Sequence, residues 1–239
     1  MQQQVRFEDL GTRRYQEIWD YQEELLSANT GIKAISRSAD ILPAPLSVPT
    51  VNHLLFVEHY PVYTLGKSGK PEHVLLSQSQ REKQQIEYFH INRGGDITFH
   101  GPEQLVGYPI LDLEKFRTDL GWYLRSLEEV IILTMKEYGL EGGRSAGETG
   151  VWLDAGTKGK ERKICAMGIR CSRWITMHGF ALNVNTELDY FSGIVPCGIQ
   201  GKQVTSLKKE LGHDVPMEEI KEKVKDNFAK VFDCTLITI

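Results

Sequence analysis

The sequence predicts an α/β fold of the α+β kind: one domain over residues 1–239, with a mixed β-sheet and flanking helices. Three observations predict it. Short apolar runs of strand length outnumber the helical stripes, and the two do not alternate regularly, as a doubly wound sheet would require. A chain of 239 residues with 41% hydrophobic and 25% charged residues is long enough for one real core and rather long for two full-sized ones.

The elements follow in order. Val5-Arg6-Phe7-Glu8 reads as a short edge strand. Thr12 can cap a helix in which Tyr15, Ile18, Trp19, Leu25 and Leu26 recur at helical spacing. From Thr30 to Thr50 that pattern dissolves and Pro43, Pro45 and Pro49 appear, so residues 30–50 are expected to form a surface insertion, a flap over a site. Leu54-Leu55-Phe56-Val57 reads as a buried strand, with further strands at Glu87–Asn92 and Gln104–Leu113. Leu120–Tyr138 carries Leu124, Leu127, Ile131 and Met135 on one helical face and ends at Gly139, as a helix C-terminal glycine would. Strands are expected at Gly150–Leu153, Lys163–Arg170 and Phe180–Val184. A helix after Pro216 and a last strand at Cys234–Ile239 complete the chain.

Composition narrows the function. The formal net charge of -4 gives no overall attraction to nucleic acid. Met1–Arg6 lacks an apolar signal core and no apolar run approaches membrane-spanning length, so no membrane partner and a cytoplasmic location are expected. The cysteines at 165, 171, 197 and 234 form no C-x-x-C pair and no zinc-type spacing, which fits reduced thiols and no metal.

Three glycine-bearing segments stand where strands would be interrupted: Arg93-Gly94-Gly95-Asp96-Ile97-Thr98-Phe99-His100, Lys163-Ile164-Cys165-Ala166-Met167-Gly168 and His178-Gly179-Phe180-Ala181-Leu182-Asn183. They read either as exposed backbone beside a ligand or as tight turns in a glycine-rich sheet. None is a phosphate loop. Cys197, between Pro196 and Gly198, reads either as a thiol on a turn or as a small core cysteine. Cys165 and Cys234 lie in apolar runs and suit the core.

Together the ordered motifs R-G-G-x-x-T-x-H-G-P, K-I-x-x-x-G, H-G-x-A-L-N and P-C-G, with Glu58–Gly66 as a further block, resemble the lipoyl(octanoyl) transferases of lipoate biosynthesis. The resemblance spans about Leu54 to Leu207. It implies a fold like the biotin and lipoate protein ligase catalytic domains. It also implies octanoyl transfer from acyl carrier protein to a lysine of the lipoyl domains of 2-oxoacid dehydrogenases and of glycine-cleavage H protein, without a cofactor. By match, Cys197 is the acyl-thioester cysteine and Lys163 its catalytic partner. Arg93 to His100, Ala166-Met167-Gly168 and Gly179-Phe180-Ala181 match the family's substrate-contacting stretches, with His59 and His178 as supporting candidates. Glu103 stands where the family pattern has glycine.

The chemistry suits these residue types. A thiol of pKa about 8.5 needs a nearby cation to become a ready nucleophile, and a lysine can pass a proton in both directions. The octanoyl tail needs apolar walls, for which Ile97, Phe99, Met167 and Phe180 are candidates. Lys158, Lys160, Arg162, Arg170 and Arg173 are expected to form a basic rim for acidic partners. Competing readings are an ATP-dependent lipoate or biotin ligase, a thiol hydrolase and a non-catalytic binding module.

Overall fold

The computed structural model describes residues 2–39, 48–195 and 203–239. The elements are β1 (Gln3–Arg13), α1 (Tyr15–Ala39), β2 (Asn52–His59), β3 (Val62–Leu65), α2 (Gln78–Lys83), β4 (Glu87–His90), β5 (Ile97–His100), β6 (Gln104–Ile110) and α3 (Leu120–Glu137). They continue as β7 (Gly142–Gly143), β8 (Val151–Leu153), β9 (Arg162–Ser172), β10 (Ile175–Asn183), β11 (Gln203–Val204), α4 (Leu207–Leu211), α5 (Met217–Phe232) and β12 (Cys234–Thr238).

The main sheet has the order β12-β1-β2-β6-β10-β9-β8-β7, with β11 also on β9. It is mixed as expected: β1 runs parallel to both neighbours, and β2 through β9 pair antiparallel. The Leu54–Val57 run shows why central strands read as continuous apolar stretches. Leu54 and Phe56 enter the core under α3 and α5, while Leu55 and Val57 enter the opposite core under α1. A small sheet, β4-β3-β5, packs its Tyr63, Leu65 and Phe99 against Phe191 and Ile194. Its other side meets Tyr15 at the start of α1. Among the described residues no helix is long and apolar enough to cross a membrane.

Three expectations are corrected. β1 is not an edge strand, because β12 lies outside it. Thr12 belongs to β1, and α1 starts at Tyr15. The irregular stretch expected from Thr30 is helical to Ala39, while residues 40–47 lie outside the described residues. The helix runs on because its polar side chains find buried partners, which apolar periodicity does not register. The Asn29 side chain bonds both backbone groups of Val51 at 2.8 Å. Lys33 is 6% exposed and reaches Asp112 and the Arg173 carbonyl, while Thr50 donates to the same aspartate.

Candidate functional site

Two adjoining cavities lie along β9 and β10, on the side that faces the small sheet. The larger is lined at one end by Lys163, Asn183, Val204 and Phe191. The smaller ends on Tyr15, His100, Tyr108 and His178. Arg93, Thr98, Ala166, Met167 and Ala181 line both. Small residues create this space. Ala166 pairs with Ala181 across β9 and β10, and Gly168 pairs with Gly179 two residues further along the same face.

The glycines at 168 and 179 sit inside strands rather than interrupting them, and they serve close packing. A Cβ on Gly168 would stand 2.6 Å from the Gly94 carbonyl oxygen, and one on Gly179 would collide with the Gly107 carbonyl. The Arg93–Asp96 loop therefore docks directly on β9, where the Gly94 amide donates to the Ile169 carbonyl at 2.9 Å. Gly95 completes the loop at φ +93°, a backbone that favours glycine.

Arg93 is buried and spends donors on its own loop. Nη1 donates to the Gly94 carbonyl, and Nη2 donates to the Thr64 and Asp96 carbonyls. The Asp96 carboxylate accepts from the Ile97 amide and pairs with His73. Ile97, Thr98 and His100 line cavity, whereas Phe99 lines neither cavity. It stacks on Tyr190 at 4.6 Å in the far core, which corrects its expected place in the acyl wall. Phe180 borders the smaller cavity, but its ring packs edge-on against Phe56 in the core under α3 and α5, so it is not an acyl wall. Gly94 likewise acts through packing and lines neither cavity.

Lys163 occupies the point where β9 leaves β10 and runs between β8 and β11. It pairs with Trp152 on one side and Val204 on the other. Its Nζ sits 4.6 Å from the Trp152 ring centroid, so an aromatic face holds the ammonium at the cavity wall. Gly150 makes room beside it: a Cβ there would press on the Cys165 carbonyl at 2.5 Å. The fully buried Glu128 carboxylate fixes that turn by accepting from the Gly150 amide, Arg125 and Arg144.

The histidines are pinned. His59 bonds the Arg13 carbonyl and the Tyr108 hydroxyl and lines neither cavity; burial lowers its pKa to about 4. His100 Nδ1 donates to the Gln104 side-chain oxygen Oε1 at 2.9 Å, and burial holds its pKa well below the usual range. His178 adopts a left-handed backbone at φ +59°. Its amide donates to Gln22 of α1, and β10 pairs with β6 only from Phe180 onward. Burial, with Arg93 and Arg170 nearby, lowers its pKa to about 3.

A chain of hydrogen bonds that sequence reasoning missed joins the two cavities. Gln104 accepts from His100 and donates to Asn183, and Asn183 donates to the Thr205 carbonyl. The Thr205 amide in turn donates to the Lys163 carbonyl. Gln104 and Asn183 close the H-G-P-x-Q and H-G-x-A-L-N motifs, so their motif position was the available signal. Tyr15 and Tyr108 gave no signal beyond helix and strand periodicity.

Cys197 lies outside the described residues. On one side of it the chain is described to Val195, whose amide donates to the His73 carbonyl at 2.8 Å. It resumes at Gln203, paired with Arg162. The described thiols are poor nucleophiles. Burial raises the pKa of Cys165 and Cys171, and pushes that of Cys234 to about 12.

The arginine part of the basic rim is corrected, while Lys158 and Lys160 are exposed. Arg162 is committed to Asp154 and Glu210, and Arg170 to Glu23, while Arg173 donates to the Thr30 carbonyl. Among the described residues, no group of three or more His, Cys, Asp or Glu side chains is placed to hold a metal. Glu103, the departure from the family pattern, adopts φ +60°. Its carbonyl accepts from the Val184 and Asn185 amides and the Thr186 hydroxyl, which offsets the strain a glycine would avoid.

Residues 14–229 match the model of the lipoyl protein ligase A/B catalytic domain. The chain belongs to this family. Among the relatives of the lipoyl ligase A/B chain, the octanoyltransferase of Flavobacterium johnsoniae is 55% identical, covering 99% of this chain and 100% of that one. The octanoyltransferase of Christiangramia forsetii is 53% identical over 99% of each. Among solved structures, a bipartite lipoate protein ligase from Thermoplasma acidophilum, studied with its E2 lipoyl domain, superposes with a TM-score of 0.68. The match is at 17% identity and covers 100% of this chain and 88% of that chain. Lipoate-protein ligase A bound with ATP gives 0.67 at 16% identity, covering 100% and 90%. At these identities the likeness is one of fold.

Proposed function

We propose that this lipoyl ligase A/B family member is an octanoyltransferase of lipoate biosynthesis. It moves octanoyl from acyl carrier protein, through a thioester on Cys197, to a lysine of lipoyl domains and of glycine-cleavage H protein. Relatives of that name at 53–55% identity over the whole chain support the activity. The observation that carries the mechanism is the pairing of Lys163 with Val204. It sets the one catalytic lysine candidate on the cavity wall beside the strand that follows the Cys197 segment.

In the first half-reaction the Cys197 thiolate attacks the carrier thioester and Lys163 protonates the departing pantetheine thiol. Exchange of one thioester for another is nearly isoenergetic. In the second half the acceptor amine, with an ordinary pKa of about 10.4, gives a proton to Lys163 and attacks the carbonyl. The amide forms, the cysteine thiol is released, and no nucleotide is consumed. The tail lies in the space opened by the Ala166–Ala181 pair, against Ile97. His59, His100 and His178, held neutral and hydrogen-bonded, support the cavity and relay no proton.

Incubation with octanoyl-loaded carrier should raise the protein's intact mass by one octanoyl group. Addition of an apo lipoyl domain without ATP should move that mass to the acceptor. A strict ATP requirement would replace this proposal with a ligase, and release of free octanoate with a thiol hydrolase.

A further inference from the structure

The smaller cavity ends on polar side chains, although its neighbour receives an alkyl tail in the function proposed above. The two cavities lie in series, with Lys163 at one end and Gly168 and His178 at the other. Lys163 and Gly168 are five residues apart on one strand, about 16 Å at roughly 3.3 Å per residue.

The residues at the far end cannot swing aside. Tyr15 lies parallel to His100 with centroids 6.0 Å apart, is stacked on Phe89 at 5.4 Å, and meets His59 at 5.3 Å. The Tyr108 hydroxyl is tied to His59, His100 to Gln104, and His178 to Asn92 at 3.0 Å. His178 adds an unpaired polar atom. Asn92 donates its amide to Glu23, so its oxygen faces His178 and the ring proton sits on Nε2. The neutral ring then presents a buried lone pair at Nδ1, which has no partner among the described residues. A longer alkyl chain could advance only by breaking the hydrogen bonds that hold this end and leaving their buried polar groups unpaired.

We propose that Tyr15, His100, Tyr108 and His178 form a fixed polar stop that sets the longest acyl chain this protein accepts. The inference rests on the acyl-transfer function proposed above and adds its specificity determinant.

The test times transfer from acyl carrier protein loaded with straight chains of six, eight, ten, twelve and fourteen carbons to an apo lipoyl domain. Each buried methylene is worth about fourfold in affinity, so admitting several more carbons gives a measurable change. The unmodified protein should lose at least tenfold between eight and twelve carbons. Tyr15→Leu and His178→Asn should each raise the twelve-to-eight rate ratio at least tenfold. Asparagine suits the latter because it tolerates the left-handed backbone. Ala181→Leu, which narrows the junction of the cavities, should shift preference toward six carbons. Thermal melting checks that each variant is folded. Unchanged ratios in folded variants, or an equal loss at every length, would overturn the stop while leaving octanoyl transfer intact. If both opening variants fail to fold, an unchanged six-to-eight ratio in Ala181→Leu overturns it. An unmodified protein that transfers no acyl group of any length overturns the function and the stop together.

Discussion

Gln104 donates a 2.8 Å hydrogen bond to Asn183, and through it the floor of the smaller cavity is connected to the chain beside Lys163. Both side chains are buried, and Asn183 passes the connection to the Thr205 carbonyl at 3.0 Å. The register of β6, β10 and the segment after β11 therefore depends on two amides with every group assigned.

Asn183→Ala leaves both a Gln104 donor and the Thr205 carbonyl without their partner. A buried unsatisfied group costs about 1–3 kcal/mol, and thermal or urea unfolding should show a loss of that order. Because Thr205 positions Lys163 through its amide, octanoyl transfer should fall further than stability alone explains. Full transfer by a folded Asn183→Ala would separate this network from the site.

Octanoyl should attach to Cys197 alone. Cys165 and Cys234 are buried and burial raises all three described thiols, so none of them competes at neutral pH. Peptide mapping after incubation with octanoyl-loaded carrier should find a hydroxylamine-labile acyl group on the Pro196–Gly198 peptide. Label on any other cysteine, or turnover by Cys197→Ala, contradicts the assignment.

Stability should fall on mild acidification. The folded-state pKa values of His59 and His178, about 4 and 3, lie below the unfolded value near 6.5. Between these limits the unfolded chain binds more protons, so stability is lost as pH drops from about 6.5 toward 3–4. A proton bound by the unfolded chain alone costs the fold about 1.4 kcal/mol for each pH step of one. Unfolding free energies from pH 7.5 to 4.5 should show this slope, and His178→Asn should reduce it by up to one proton. An unchanged slope would mean that His178 is not held neutral.

Most of the architecture was legible in the sequence, because central strands announce themselves by continuous apolar runs and α3 by its stripe and Gly139. The second half of α1 was not, since Asn29 and Lys33 bury polar groups that a hydrophobic pattern counts as solvent-facing. The motif glycines were legible as important but not in role, because the close approach of Gly94 to Gly168 joins residues 74 positions apart. Phe99 illustrates the limit of a motif. Its neighbours Thr98 and His100 face the cavity, and the two-residue period of a strand turns it the other way. The arginine part of the basic rim failed for a similar reason: Glu23 and Glu210 are distant in sequence from the arginines they neutralise, and Asp154 meets Arg162 across the β8–β9 connection.

The central claim is that Lys163 handles the protons of transfer through Cys197. Its most direct test is the single-turnover rate of octanoyl transfer by Lys163→Ala and Lys163→Arg, with melting curves confirming the fold. General acid–base groups typically contribute about 10²–10⁴ in rate, so Lys163→Ala should be slower on that scale. Lys163→Arg should be nearly as slow, because a guanidinium keeps its proton at any working pH. Near-normal transfer by Lys163→Arg would contradict proton transfer by this residue and leave it only a charge to contribute.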